Sequence, residues 1–350
     1  MPFSYAWIVL FVLFLGLLTS FGVRASFGAY VSPWEQDFSV SRTVVTSIST
    51  LAFIVFAITQ PLAGKLNDQL GKCIVPAASI ILVGGCLLLS SVATQIWQLY
   101  ILYGIGFSAG VAGCSNVTAT AIISRWFKAK RGFALGLVVS GMAVGQLLIV
   151  PFSLFLVEKL SWRMSFTILG LVILIIVAPL VILFVRSRPE EKGMMPYGSQ
   201  PGDDIRPADA LQNNESRSTF VKRTSVFEVV KLKEFWLLAI PNFVCGFSDV
   251  GLINTHLIPF MQGRGFATSI IALSFSVIAL MNILGTISTG HFSDIFNRSR
   301  QLGIIYFTRA ITFVYLLIIR EPWLLILFAV VYGATEMATI APINSLKVTC

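Results

Sequence analysis

Charged residues and histidine are scarce in this sequence. Asp, Glu, Lys and Arg make up 12% of the 350 residues and His occurs twice, while 56% of the residues are hydrophobic. A soluble domain carries about 25% charged residues. No Ser/His/Asp set, Walker sequence or metal-ligand spacing is present. The composition therefore excludes an enzyme, predicts no cofactor and no metal site, and indicates that the lipid bilayer is the solvent of this chain.

Paired cysteines are also missing. The five cysteines are scattered and none shows C-x-x-C spacing; they are Cys73, Cys86, Cys114, Cys245 and Cys350. This spacing implies neither a metal site nor a disulfide framework. We interpret these residues as small buried hydrophobic side chains.

Long apolar runs fill most of the sequence. About 20 helical residues cross a hydrocarbon core of about 30 Å, and these runs lack the alternating pattern of membrane barrel strands. The first run has no Lys or Arg before Arg24 and is too long for a signal peptide. The sequence predicts an all-α membrane protein with ten spanning helices, near residues 6–29, 44–64, 74–94, 97–122, 132–157, 164–185, 234–257, 267–289, 302–320 and 323–346.

Lys and Arg concentrate in the loops on the N-terminal side of these helices, most densely between residues 186 and 233. The positive-inside rule then places the N-terminus and this central loop in the cytoplasm, in a multi-pass protein of the cell membrane. The net charge of +9 is thereby a topology signal and not a nucleic-acid footprint. We expect a monomer that is embedded in the lipid bilayer.

The central stretch divides the protein. It contains Pro189, Pro196, Pro201 and Pro207 among Asp, Asn, Ser and Gly, without a long apolar face. Such a segment is mobile or partly ordered. We predict a six-helix bundle over residues 1–186, a cytoplasmic loop over 187–233 and a second bundle over 234–350.

A nine-residue pattern occurs once in each half. Residues 64–72 and 290–298 each begin with Gly, carry Asp four residues on and end on a basic residue, where an apolar run gives way to a short polar loop. Pro33 and Pro259 are separated by the same interval as the two patterns. Helices 7 to 10 therefore repeat helices 1 to 4. We expect twelve helices in the full protein, of which the last two would follow residue 350, so that the second bundle is incomplete at its C-terminal side.

The pattern Gly-x-Leu-x-Asp-x-x-Gly-Lys after helix 2, with six helices and a basic central loop, resembles the major facilitator superfamily. The resemblance implies two pseudo-symmetric bundles that rock around a site lined by helices 1, 4, 7 and 10. Gln69 and Asn297 depart from the family pattern and weaken the expected charge network. The gating contacts implied by the resemblance involve Gly64, Asp68, Gly71, Lys72, Gly290, Asp294, Arg298, Lys130 and Arg131.

The junction of helices 4 and 5 carries a finer resemblance. Residues 125–136 read Arg-Trp-Phe-Lys-Ala-Lys-Arg-Gly-Phe-Ala-Leu-Gly and are followed by Ser140-Gly141, which is similar to the monocarboxylate and oxalate:formate porter branch. A small organic anion is the substrate that this resemblance implies. Helix 1 lacks the acidic-Gly opening of the animal monocarboxylate porters, and helix 8 has no Arg or Lys where anion porters of this branch often place one.

Two ionisable residues occupy matching places in helices 1 and 7. Arg24 has a guanidinium that can hold both oxygens of a carboxylate, or it can act as an interfacial anchor. Asp249 lies at nearly the same place in the second half. We predict an Arg24–Asp249 ion pair for which a substrate carboxylate competes, and Asp249 could alternatively take a proton.

Further polar residues lie inside predicted spans. Glu336 is a candidate for proton coupling or a partner of Arg309, which we expect to be structural; His256 could titrate or only hydrogen-bond at the interface. The amides could contact substrate or bond between helices; they are Asn116, Gln146, Asn254 and Asn282. The glycines of helices 4 and 5 are spaced for close helix packing; they are Gly106, Gly110, Gly132, Gly136, Gly141 and Gly145.

These observations favour an alternating-access secondary transporter of a small organic anion, a mono- or dicarboxylate, driven by proton symport or anion exchange because no ATP site is present. Proton-coupled efflux of a hydrophobic compound is an alternative that the Gly-rich face of helix 5 permits. A membrane sensor or scaffold that binds a partner through the central loop is another.

Overall fold

The computed structural model describes residues 5–70, 74–198, 233–295 and 298–336. Within these ranges nine helices are long and apolar enough to cross a membrane, and Pro322–Glu336 is a shorter apolar helix. We number the ten α1 to α10. They are Tyr5–Ala25 with its continuation Phe27–Asp37, Arg42–Leu70, Ile74–Ser91, Ile96–Trp126, Arg131–Lys159, Trp162–Phe184, Lys233–Phe247 with its continuation to Gly263, Thr268–Ile295, Arg298–Ile318 and Pro322–Glu336.

A helix is present at each of the ten predicted places, and nine of these are long and apolar enough to span within the described residues, but several predicted ends were wrong. Helix α1 continues through Phe27–Asp37, well past the predicted end, with Pro33 inside it. Helices α2 and α8 continue to Leu70 and Ile295. The apolar run marks where lipid contact ends, whereas the helical hydrogen bonds continue until the backbone finds another partner. Four residues predicted for the loop patterns therefore lie in helices; they are Gly64, Asp68, Gly290 and Asp294.

Three helices contain π-helical turns. They cover Tyr100–Phe107 in α4, Ile173–Val177 in α6 and Ser248–Leu257 in α7. Helix α4 is also interrupted at Cys114 and Ser115, where the backbone of Ser115 is extended before Asn116 restarts the helix. Such interruptions are frequent at functional sites, and the α7 segment contains Asp249, Asn254 and His256.

Small residues let α1 and α5 pack closely. A Cβ atom added to Gly22 would lie 2.7 Å from the carbonyl oxygen of Gly145, and one added to Gly141 would lie 2.7 Å from that of Phe14. The interpretation of Gly141 and Gly145 as packing residues is confirmed. At Gly136 a Cβ meets no described atom within 4 Å, so this glycine does not serve a close approach.

The two halves have separate apolar cores that join at one place. The first core draws its buried residues from α1 to α6. The second consists of residues from α7 to α10 together with Ala25, Ala29, Val150 and Leu154 of the first half. Helices α1 and α5 thus contribute to both cores. The three-part domain division itself stays a prediction.

Several contacts between the halves lie toward the end of the molecule opposite Tyr5, which we call the far end. The hydroxyl groups of Ser49 and Thr255 are 3.1 Å apart, and Ser32 donates a hydrogen bond of 3.2 Å to the amide oxygen Oε1 of Gln262. A Cβ on Gly28 would lie 2.8 Å from the backbone oxygen of Asn254. Polar and close-packed contacts therefore hold the halves together at this end.

Near Tyr5, the start of the central segment is anchored. The indole of Trp126 donates a hydrogen bond of 2.8 Å to the carbonyl of Arg186, and the amide of Tyr197 donates one of 2.8 Å to the carbonyl of Trp126. Residues 187–198 therefore run along the end of the first bundle, and 199–232 lie outside the described residues.

Candidate functional site

The side chain of Arg24 lies between α1 and α2, among aromatic rings. Its guanidinium carbon is 3.9 Å from the ring centre of Phe56, 4.4 Å from that of Phe53 and 5.9 Å from that of Phe21. Phe53 and Phe56 are three residues apart on α2, so both rings lie on one helix face. Cation–π attraction and exclusion of water hold the half-buried guanidinium in place. We call Arg24, Phe21, Phe53 and Phe56 the Arg24 cluster.

The predicted Arg24–Asp249 ion pair is wrong. Among the described residues, Arg24 has cation–π contacts but no ion pair and no hydrogen bond. The neighbouring Ala25 packs with the second core. One residue turns a helix by about 100°, so the side chain of Arg24 points to α2 instead of α7. Matching positions in sequence did not bring the two charges together.

Asp249 pairs with Arg309 instead. Nη2 of Arg309 forms an ion pair with Oδ1 of Asp249. The hydroxyl of Tyr332 donates a hydrogen bond of 2.5 Å to the same oxygen and accepts one of 3.2 Å from Arg309. Tyr332 is fully buried and stacks on Phe328, which fixes its hydroxyl between the two charges. Helices α7, α9 and α10 thereby share one polar group in an apolar bundle.

Glu336 extends this group. Its side-chain Oε2 accepts a hydrogen bond of 2.8 Å from the amide of Asn282 on α8, and its backbone oxygen accepts one of 3.4 Å from Nη1 of Arg309. Glu336 and Arg309 are 4% and 3% exposed. We call Asp249, Arg309, Tyr332, Glu336 and Asn282 the Asp249 cluster. Buried charges of this kind are costly and usually functional in membrane proteins.

The sequence matches a known family over most of its length. A model of the Major Facilitator Superfamily aligns with residues 12–348. The chain belongs to the Major Facilitator Superfamily. It is therefore a multi-pass membrane transporter and not an enzyme.

Several relatives and solved structures are similar to this transporter. It is 22% identical over 313 residues to the uncharacterized MFS-type transporter YcxA of Bacillus subtilis (strain 168), covering 89% of this chain and 71% of the relative. Monocarboxylate transporter 12-B of Danio rerio is 23% identical over 97% of this chain and 73% of its own length. The oxalate:formate antiporter of Oxalobacter formigenes is 25% identical over 87% of this chain and 67% of its own length.

Solved structures support the fold alone at their low identity. A bacterial homolog of the human lysosomal transporter Spinster, in an inward-facing and occupied conformation, superimposes with a TM-score of 0.69 at 19% identity, covering 97% of this chain and 75% of that one. A D-xylose-proton symporter gives a TM-score of 0.65 at 17% identity, and the match covers 97% of this chain and 82% of the symporter. The pseudo-symmetric two-bundle fold predicted from the sequence is confirmed.

The remaining candidate residues of the transporter lie apart. Gln146 is buried in α5 and its Nε2 has no described hydrogen-bond acceptor; Oδ1 of Asn254 likewise has no described donor. Asn116 begins the second part of α4, where its carbonyl accepts a hydrogen bond from Thr120. His256 lies near Arg42 and interacts electrostatically with it. The structure thus groups Asp249, Glu336 and Asn282 around Arg309 and Tyr332, and His256 makes no described hydrogen bond or ion pair with them.

The gating residues are only partly described. Lys130 has a left-handed backbone that directs the polypeptide into α5, which Arg131 begins. Helix α9 begins at Arg298. Gly71 and Lys72 lie outside the described residues, as do the side chains of Asp68, Arg131, Asp294 and Arg298. The proposed gating contacts stay a prediction.

Sequence reasoning missed the four aromatic residues of these clusters, which are Phe21, Phe53, Phe56 and Tyr332, and assigned Arg309 only a structural role. Phe53 and Phe56 could have been found from their spacing on the helix that follows Arg24. Tyr332 precedes Gly333 as Tyr103 precedes Gly104 in the first half. That repeated pair marked a buried tyrosine in each bundle, and both are at most 2% exposed.

Proposed function

We propose that this transporter moves a small organic anion, a mono- or dicarboxylate, by alternating access, and that Arg24 binds the carboxylate. Proton symport or anion exchange would supply the driving force. The observation that carries the proposal is the half-buried guanidinium of Arg24, which has neither an ion pair nor a hydrogen bond among the described residues. A guanidinium withdrawn from water attracts an anion.

The surroundings of Arg24 suit a carboxylate ligand. The rings of Phe53 and Phe56 approach its guanidinium carbon, and its N–H groups donate to no described acceptor. Those N–H groups match the two oxygens of a carboxylate. Phenyl rings also exclude water, which strengthens a charge-assisted hydrogen bond. The short apolar part of an organic acid would contact the same rings.

The place of Arg24 suits alternating access. Ala25, the next residue, packs with the second core. Phe53 lies one helical turn from Ser49, whose hydroxyl meets Thr255 of the other half. Arg24 therefore lies beside the seam between the halves, where substrate sites of transporters with internal repeats are found.

The names of two relatives are consistent with an organic-anion substrate, although low identity keeps the substrate a proposal. Two of them are called a monocarboxylate transporter and an oxalate:formate antiporter. The identities are below 30%, and this chain spans 73% and 67% of their lengths. We further propose that the protein is a monomer in the cell membrane. The distribution of Lys and Arg supports a cytoplasmic N-terminus and central loop.

The test is substrate counterflow in proteoliposomes with labelled mono- and dicarboxylates. Arg24→Gln keeps a polar side chain but loses the charge. We expect a loss of apparent affinity of about a hundredfold, because charge-assisted hydrogen bonds contribute about 1.5–3 kcal/mol each. Arg42→Gln is the matched control, since Arg42 is half-exposed and pairs with Glu35 at the far end; it should transport like the wild type.

The outcomes separate the competing functions. Counterflow that survives Arg24→Gln unchanged would make Arg24 an interfacial anchor. Absence of carboxylate counterflow in well-folded wild type would overturn anion transport and leave proton-coupled efflux of hydrophobic compounds to be tested next.

A further inference from the structure

The Asp249 cluster contains more acidic than basic side chains. Two carboxyl groups, Asp249 and Glu336, face one guanidinium, Arg309, among the residues that the structure describes. The side chains of Arg309 and Asp249 are 4% and 14% exposed, and Glu336 is 4% exposed. If both carboxyl groups were ionised, the cluster would hold one uncompensated negative charge away from water. Such a charge costs several kcal/mol, and a buried acid avoids this cost by binding a proton.

The contacts decide which of the two acids holds the proton. Asp249 has the guanidinium of Arg309 and the hydroxyl of Tyr332 on the same oxygen, so its charge is paired and hydrogen-bonded. The side chain of Glu336 has an amide donor from Asn282. Arg309 reaches the backbone oxygen of Glu336 and forms no ion pair with its carboxyl group. The ionised form therefore belongs to Asp249 and the protonated form to Glu336.

No other described group near the cluster adds a charge to these two carboxyl groups and one guanidinium. Cys245 of α7 lies against Arg309, and Tyr306 of α9 lies near Cys245; thiols and phenols are ordinarily neutral at pH 7. Helix α8 contributes the uncharged Asn282, and α10 contributes Tyr332. His256 lies near Arg42 and has no described hydrogen bond or ion pair with a member of the cluster.

We propose that Glu336 is the proton-binding group of the transport cycle and that the Arg309–Asp249 pair keeps it protonated at rest. The proposal rests on the proposed function and makes it proton symport. When the cluster opens to the side with fewer protons, the carboxylic acid of Glu336 releases its proton to water. Nε of Arg309 donates to no described acceptor, so a donor is available to the resulting carboxylate. Rebinding a proton on the other side restores the resting state.

Infrared spectroscopy of the protein in lipid vesicles tests where the proton resides, without any transported substrate. Two samples are made by cell-free synthesis. One carries ¹³C in the side-chain carboxyl groups of glutamate, and the other carries it in those of aspartate. We expect a carboxylic-acid carbonyl band at neutral pH that shifts with labelled glutamate but not with labelled aspartate. The band should be absent from Glu336→Gln. A band that shifts with aspartate, a band that persists in Glu336→Gln, or no band in the wild type would overturn the proposal.

Asp249→Asn provides a second test through the charge count. This variant leaves Arg309 with Glu336 as its one described carboxyl neighbour, so Glu336 should ionise and the glutamate-shifted band should disappear. Persistence of the band at full strength in folded Asp249→Asn would contradict the charge argument. If Glu336→Gln fails to fold, the labelled wild type still assigns the proton to a residue type.

Transport measurements then test whether the proton bound by Glu336 takes part in the transport cycle. Uptake driven by a pH gradient should be lost in Glu336→Gln. Wild type that shows carboxylate counterflow, with Glu336→Gln still driven by a pH gradient, would refute the role of Glu336 while anion transport stands. Wild type with the glutamate band but no carboxylate counterflow would refute anion transport at Arg24 while the proton assignment stands.

Discussion

Replacing Gly16 or Gly22 of helix α1 by alanine should change the stability of the protein in opposite directions. A Cβ on Gly22 would lie 2.7 Å from the backbone oxygen of Gly145 and 2.9 Å from two atoms of Ile149. Ordinary contact begins at 3.4 Å, so Gly22→Ala is short of space by about 0.7 Å against backbone that cannot rotate away. A Cβ on Gly16 meets no described atom within 4 Å, and Gly16 lines a small cavity beside Leu13.

The expected magnitudes follow from packing and helix propensity. Overpacking costs about 1–3 kcal/mol, whereas Gly→Ala inside a helix gains about 1 kcal/mol. Gly22→Ala should therefore lower the free energy of unfolding by up to about 2 kcal/mol, because α1 and α5 must move apart. Gly16→Ala should gain about 1 kcal/mol, since its methyl group enters empty space. The two variants differ by one methyl group each and lie on one helix, so each controls for the other.

The assay is thermal unfolding of the purified protein in one detergent at one scan rate, followed by circular dichroism. We expect the midpoint of Gly16→Ala above that of the wild type and that of Gly22→Ala below it. Equal or reversed midpoints would refute the close approach of α1 and α5 at Gly22.

Two further predictions concern the buried ion pair and the far end. Arg309→Met should lower the free energy of unfolding by about 3–5 kcal/mol at neutral pH, because it leaves the buried carboxylate of Asp249 unpaired. The loss should shrink as the pH falls and Asp249 binds a proton. Asp249→Asn should lower it less, because Glu336 can replace the counter-ion of Arg309, and the reverse order of thermal midpoints would contradict this. Ser49→Cys with Thr255→Cys, in a background without native cysteines, should form a disulfide that stops transport until it is reduced, because the parent hydroxyl groups are 3.1 Å apart; normal transport by fully cross-linked protein would show that the far end need not open.

Much of the fold could be predicted because lipid imposes one rule on the whole polypeptide. A bilayer offers no hydrogen-bond partner to the backbone, so a long apolar run must be helical. The duplicated Gly–Asp pattern then indicated two related bundles. Helix ends were less predictable, since Phe27–Asp37 stays helical outside the apolar run and carries Pro33.

The candidate site was only partly predictable. Sequence reasoning found Arg24, Asp249, Glu336 and Asn282 as polar residues in apolar spans. It paired Arg24 with Asp249 because their positions match in the repeat. The structure pairs Asp249 with Arg309 and leaves Arg24 among phenylalanines.

The sequence by itself determined the membrane class, the number of helices and the internal repeat, because each depends on composition and spacing along one polypeptide. Only the tertiary structure decided which charges are neighbours. In a membrane both the lipid-facing and the core-facing sides of a helix are apolar, so periodicity does not reveal which way Arg24 or Arg309 points. The direction of a side chain across a helix interface is set by packing between α1 and α5 and among α7, α8, α9 and α10. That packing brings Arg309 to Asp249 and leaves Arg24 without a counter-ion among the described residues.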